Sequence, residues 1–118
     1  MELLAGDRER RKVTATKMKQ SCREYLAEQI ADETIAQGLY DKYAAYVVQK
    51  LEKARAKLSA GDWEELSATA HTIKGDAISL GDAETAIAAA ELRAAAKNRD
   101  TAACSALLEK LRIETAAL

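Results

Sequence analysis

Ala70-His71-Thr72-Ile73-Lys74-Gly75-Asp76-Ala77-Ile78-Ser79-Leu80-Gly81 contains the only histidine of the 118-residue chain. Leu66, Ala70, Ile73, Ala77 and Leu80 recur in alternating steps of four and three, the pattern of an amphipathic helix with one inward stripe. Each helical residue turns about 100° from the one before, which puts His71 roughly 140° from the centre of that stripe. His71 therefore points away from the core. Lys74 and Gly75 are its i+3 and i+4 neighbours and share its surface. Glu64, Ser67 and Ile78 complete this face, and Asp76 falls on the far side.

Three features of the face carry chemistry. An imidazole outside the core is an available nitrogen nucleophile. A glycine inside a helix costs about 1 kcal/mol relative to alanine, and beside a histidine it removes the side chain that would block a bulky approach. Lys74, one turn along, can supply positive charge to a phosphoryl group attached to the imidazole. Taken singly, each has an ordinary explanation: a surface histidine, a packing glycine, a solvated lysine. The joint spacing H-x-x-K-G followed by x4-L-G is far more specific.

The same helix has punctuated ends. Ser59-Ala60-Gly61 breaks the preceding pattern, Asp62 reads as an N-cap, and Glu65 stands three residues later as in a capping box. Gly81 ends the helix near Leu80, and Asp82 caps the next. That helix, about 83–97, is expected to bury Ala83, Ala86, Ile87, Ala90 and Ala94. Lys97-Asn98-Arg99-Asp100 is a polar turn, and a last helix over about 101–116 presents Cys104, Leu107, Leu108 and Leu111. Before the histidine helix, Tyr40, Ala44, Val47, Leu51, Ala54 and Leu58 mark a helix over 40–58. Tyr46, Lys50, Lys53 and Lys57 fall on another face of it and read as a solvated basic stripe. Asp32 caps a short turn that runs through Gln37 and stops at Gly38. Residues 1–31 read as an N-terminal helical extension whose stripe is Met18, Cys22, Tyr25, Leu26 and Ile30.

These segments predict an all-α domain, an antiparallel up-down four-helix bundle over 32–118 with an additional N-terminal helix packed on it. Composition agrees: no proline interrupts any segment, and alanine, the best helix former, supplies much of the 48% hydrophobic content. The formal net charge of −1 gives no bulk footprint for nucleic acid. Arg8 to Lys12 is a basic run broken by Glu9 and reads as a solvated face. The first residues reach charge too soon for a signal peptide, and no run of about 18 apolar residues predicts a membrane span. Cys22 and Cys104 match no metal spacing and are expected as two buried thiols in a reducing compartment. A cytoplasmic monomer is expected.

The stretch resembles the histidine-containing phosphotransfer (HPt) domain family, with its pattern A-H-x-L-K-G-S-[SA]-x-x-L-G-A. Ala70, His71, Lys74, Gly75, Leu80 and Gly81 match, and Ile73 replaces leucine. Gly61-Asp62-Trp63 and Glu91 also look like the family, and the resemblance extends over about 32–117. The chain departs from the pattern at Asp76, where serine is common, and at Asp82. The resemblance implies a phosphorelay carrier in multistep two-component signalling, partnered by response-regulator receiver domains and a hybrid sensor histidine kinase. His71 would accept and donate the phosphoryl group, Lys74 would stabilise it, and Ser67, Lys74, Gly75 and Ile78 would meet the partner. Mg²⁺ is expected on the receiver, with no cofactor or metal bound by this chain. The competing function is a helical receiver-binding module without phosphotransfer. An enzyme is not expected, since the chain has no Gly-rich nucleotide loop or kinase motif, and the lone histidine offers no metal set.

Overall fold

Three of the four helix junctions among the described residues fall where a residue in the left-handed conformation meets an aspartate. The computed structural model describes residues 18–118. It contains α1 (Gln20–Gln29), α2 (Glu33–Ala60), α3 (Trp63–Ser79), α4 (Ala83–Lys97) and α5 (Thr101–Ala116), with no strand among the described residues. Gly61 (φ 71°), Gly81 (φ 74°) and Arg99 (φ 53°) are left-handed, and each is followed by an aspartate. In each turn the aspartate N–H bonds back to the carbonyl five residues earlier: Asp62 to Lys57, Asp82 to Ala77, and Asp100 to Ala95. These are Schellman closures. The same aspartate then caps the next helix, accepting from Glu65 N, Thr85 N and Ala103 N respectively. Such turns leave no length to cross the bundle, so consecutive helices run antiparallel. Arg99 adopts this conformation without glycine's freedom, at a cost of order 1 kcal/mol.

Asp32 caps a helix as expected, accepting from Thr34 N and Ile35 N. The helix does not stop at Gly38. It runs unbroken through 28 residues to Ala60, so the short turn and the 40–58 helix are one element. Gly38 is not left-handed, and a Cβ there would meet nothing within 4 Å. The basic stripe of α2 faces solvent, with Tyr46 and Lys53 exposed, and its lysines also reach carboxylates of α3 and its cap. Lys50 pairs with Asp76, Lys53 with Glu65 at 3.8 Å, and Lys57 with Asp62 at 3.9 Å. They tie α2 to α3. Glu65 is thereby turned toward Lys53, so only the Asp62 half of the capping box forms.

α2 packs on α3 and α5, α3 on α4, and α4 on α5, closing a four-helix ring. Tyr43, Val47, Leu51 and Ala54 of α2 meet Leu66, Ala70, Ile73 and Ala77 of α3 in its core. Cys104, Leu108 and Leu111 enter from α5, and both cysteines are free and buried, as expected. Burial pushes the Cys22 thiol up to about 11 and raises Cys104 as well, so neither is a reactive thiolate. α4 is rotated from its expected setting. Thr85, Ala86, Ala88, Ala89, Leu92, Ala95 and Ala96 are buried, whereas Ala83, Ala94 and Ile87 are exposed, Ile87 at 60%. In a helix so rich in alanine the apolar stripe has little contrast, and Leu92 with the hydrogen-bonded Thr85 decides which side turns inward.

α1 packs across one end of the bundle, where Met18, Cys22 and Leu26 join Ala36 and Tyr40 in a second apolar cluster. Of its expected stripe, Tyr25 is 37% exposed. Yet a Cβ on Gly81 would come within 2.6 Å of the Tyr25 ring carbon Cγ. Gly81 therefore serves twice, in its left-handed turn and as the seat of Tyr25. Residues 1–17, the earlier part of the expected extension, lie outside the described residues.

Asp82 explains how α1 is held. It is fully buried, and Lys19 Nζ donates to its Oδ1 at 2.9 Å while the Tyr43 hydroxyl donates to its Oδ2 at 2.6 Å. Tyr40 accepts from Lys19 N at 3.1 Å. Burial by itself raises the Asp82 carboxyl, but the bonds from Lys19, Tyr43 and Thr85 outweigh it and hold the group below the usual carboxylate range. Burial likewise lowers Lys19, and Asp82 more than reverses it. The pair thus stabilises the fold above about pH 3.9 and below about pH 10.4. Its contribution is lost as pH falls through the depressed Asp82 pKa or rises through the raised Lys19 pKa. Lys19→Met leaves a buried unpaired carboxylate and should cost about 3 kcal/mol in a urea melt. Adding Asp82→Asn, which keeps the cap acceptor, should recover part of that. A Lys19→Met protein as stable as wild type would show that the pair does not hold α1.

Candidate functional site

The side of α3 opposite its buried stripe is the candidate site. Leu66, Thr69, Ala70, Ile73 and Ala77 are buried, which fixes the rotation of the helix and sends His71 to solvent. His71, Gly75 and Glu64 are exposed, Ser67 and Lys74 are half-buried, and Ile78 is 54% exposed. The structure thus brings the residues expected around His71 onto one face. Asp76 lies on the other flank, bound to Lys50 of α2. A Cβ at Gly75 would meet nothing within 4 Å, so no neighbouring element explains the glycine. The helix is regular there, and the Ser79 hydroxyl donates to the Gly75 carbonyl at 3.0 Å.

The rotated α4 adds residues that were not expected. A groove of about 200 Å³ along the α3–α4 seam is lined by Lys74, Ala90, Arg93, Ala94 and Lys97. Ala90 and Ala94, expected in the core, instead form the groove's wall, and exposed Ile87 stands on the same side of α4. A second groove of about 280 Å³ continues along the seam between Trp63, Glu64 and Ser67 of α3 and Ala96, Lys97 and Arg99. The sequence signal was present in the i, i+4 pair Arg93 and Lys97 beside two small residues. Alanine's lack of contrast masks it, because Ile87, Ala90 and Ala94 also read as an inward stripe.

The seam gathers cations that lack a carboxylate partner, whereas the other unpaired cations among the described residues, Arg23, Lys42 and Arg55, lie on α1 and α2. Lys19, Lys50, Lys53, Lys57, Lys110 and Arg112 all have carboxylate partners within 4.0 Å. Among the described residues Lys74, Arg93, Lys97 and Arg99 have none. The arrangement offers a solvent-facing imidazole, an unobstructed approach over Gly75, and unneutralised cations alongside. That combination suits acceptance of an anionic group by a nitrogen nucleophile. Among the described residues no cluster of three or more histidine, cysteine, aspartate or glutamate side chains could hold a metal, and no helix is long and apolar enough to cross a membrane.

The model of the Hpt domain matches residues 38–118, which takes in all of α3, α4 and α5 and most of α2. The chain belongs to the Hpt domain family. Hpt domains are histidine phosphotransfer carriers of phosphorelays rather than kinases. α1 and the first turn of α2 precede the matched region, so the clasp made by Lys19 comes from outside the Hpt match. No curated protein and no solved structure shows significant similarity to the chain.

Proposed function

We propose that this Hpt protein carries a phosphoryl group on His71 and exchanges it with the aspartates of receiver domains. The observation that supports this most is the isolation of the imidazole on the outward face of α3, with Gly75 open beside it. In the forward step an imidazole nitrogen lone pair attacks the phosphorus of an aspartyl phosphate. The P–N bond forms as the P–O bond to the aspartate breaks, and the electron pair leaves on the carboxylate. The proton on the other ring nitrogen is retained or passes to water. The reverse step returns the phosphoryl group to an aspartate. Phosphoryl transfer is mainly positioning and charge stabilisation. The catalytic Mg²⁺ and the acidic pocket belong to the receiver in this reading, and the chain itself holds no cofactor. Lys74 steadies the phosphoryl group, while Ser67, Gly75 and Ile78 meet the receiver. Residues 32–118 are then the phosphotransfer unit, and residues 18–31 are the described part of an N-terminal extension packed on it.

The test is transfer of label from a phosphorylated receiver domain to the chain in the absence of ATP. A chain that binds receivers without taking label would be an interaction module instead. Lys74→Ala refines the test. Its side chain is off the core stripe, so the melting free energy should change by no more than about 0.5 kcal/mol. Transfer should slow by about tenfold at low ionic strength, with the deficit shrinking as salt screens the lost charge. Equal rates for wild type and variant across a range of salt would remove Lys74 from the mechanism.

A further inference from the structure

His71 lies on α3 between residues that line the two seam grooves. Ser67, four residues before it, lines one groove, and Lys74, three residues after it, lines the other. Lys97 of α4 lines both, and Arg93 lines the groove that holds Lys74. Since α3 and α4 are antiparallel neighbours, Arg93 and Lys97 occupy the level of α4 that faces His71. Neither has a carboxylate within 4.0 Å among the described residues, and the alanines between them leave the groove open.

We propose that Arg93 and Lys97 complete, with Lys74, a cationic cradle that holds the phosphoryl group while it resides on His71. This deepens the carrier reading and rests on it. The cradle acts on the free phosphoprotein, before and after any receiver is bound. Two negative charges placed on the imidazole enter a seam with three unneutralised cations, one of them a guanidinium able to engage two phosphoryl oxygens. The consequence is thermodynamic: the cradle lowers the free energy of the phosphorylated state and sets how readily the carrier gives the group up. Docking contacts have a different signature. They exist only in the complex and cancel from the equilibrium between separated species, although they change rates.

The experiment measures the equilibrium constant for phosphoryl exchange between the full chain and a receiver domain. The receiver is charged with a small-molecule acyl phosphate, and the components are diluted so that complexes are negligible. Arg93→Gln and Lys97→Gln should each shift the equilibrium toward the phosphorylated receiver by roughly three- to tenfold at low salt, and less at high salt. Arg93→Lys should restore most of the shift. Lys42→Gln serves as the control, because Lys42 is an exposed cation of α2 with no partner within 4.0 Å among the described residues. Should Arg93→Gln fail to fold by circular dichroism, Lys97→Gln at an exposed position carries the test alone. A shift no larger than that of Lys42→Gln, or altered rates with an unaltered equilibrium, overturns the cradle while the carrier reading stands. A wild-type chain that takes no label overturns the carrier reading itself.

Discussion

Gly75→Leu should give a folded, fully helical protein that exchanges phosphoryl groups roughly a hundredfold more slowly than wild type. The fold should tolerate it because position 75 points almost opposite the buried stripe of α3, and a Cβ there meets nothing within 4 Å. The chemistry should not tolerate it. A leucine at i+4 stands over one side of the imidazole, in the volume through which an aspartyl phosphate must come in line with the nitrogen. Gly75→Ala separates the two effects. It removes the conformational penalty of a helix-interior glycine and should raise stability by up to about 1 kcal/mol, while its transfer rate lies between those of wild type and leucine. Melting by circular dichroism and label transfer from a phosphorylated receiver check all three proteins. Wild-type transfer by Gly75→Leu would mean that the glycine is not there for access, and unfolding would mean that Gly75 is a packing residue.

The site was more legible in the sequence than the bundle that presents it. α3 has a high-contrast stripe, with Leu66 and Ile73 opposed to Glu64, His71 and Lys74, so its rotation could be read directly, and Asp62, Gly81 and Asp82 marked its ends. α4 offered no such contrast. Most of its residues are alanine, which packs acceptably on either side of a helix, and the seam formed by Ala90, Arg93, Ala94 and Lys97 was hidden by that degeneracy. Gly38 misled for a related reason. Glycine stops a helix when the backbone turns left-handed, and here the packing of Ala36, Tyr40 and Tyr43 carries the helix through it at the cost of one unfavourable residue. Asp82 showed in the sequence only as an N-cap. Its partners Lys19 and Tyr43 lie 63 and 39 residues away, a tertiary pairing that no local pattern encodes.

The same outward placement leads to the strongest expectation, that His71→Gln abolishes phosphoryl acceptance and leaves the fold unchanged. Glutamine is a good helix former with an uncharged polar side chain, so an exposed position on α3 should absorb it within about 0.5 kcal/mol. It has no nitrogen lone pair able to attack phosphorus, because its amide nitrogen is delocalised into the carbonyl. No other histidine exists in the chain to substitute, and both cysteines are buried with raised thiol pKa values. The loss should therefore reach the detection limit instead of being partial. The measurement is transfer of ³²P from a phosphorylated receiver domain to wild-type and His71→Gln proteins of equal helicity, followed by acid and alkali treatment of the product. Label on the wild type that is lost in acid and kept in alkali, with none on His71→Gln, is the predicted result; label that persists on His71→Gln would contradict the account.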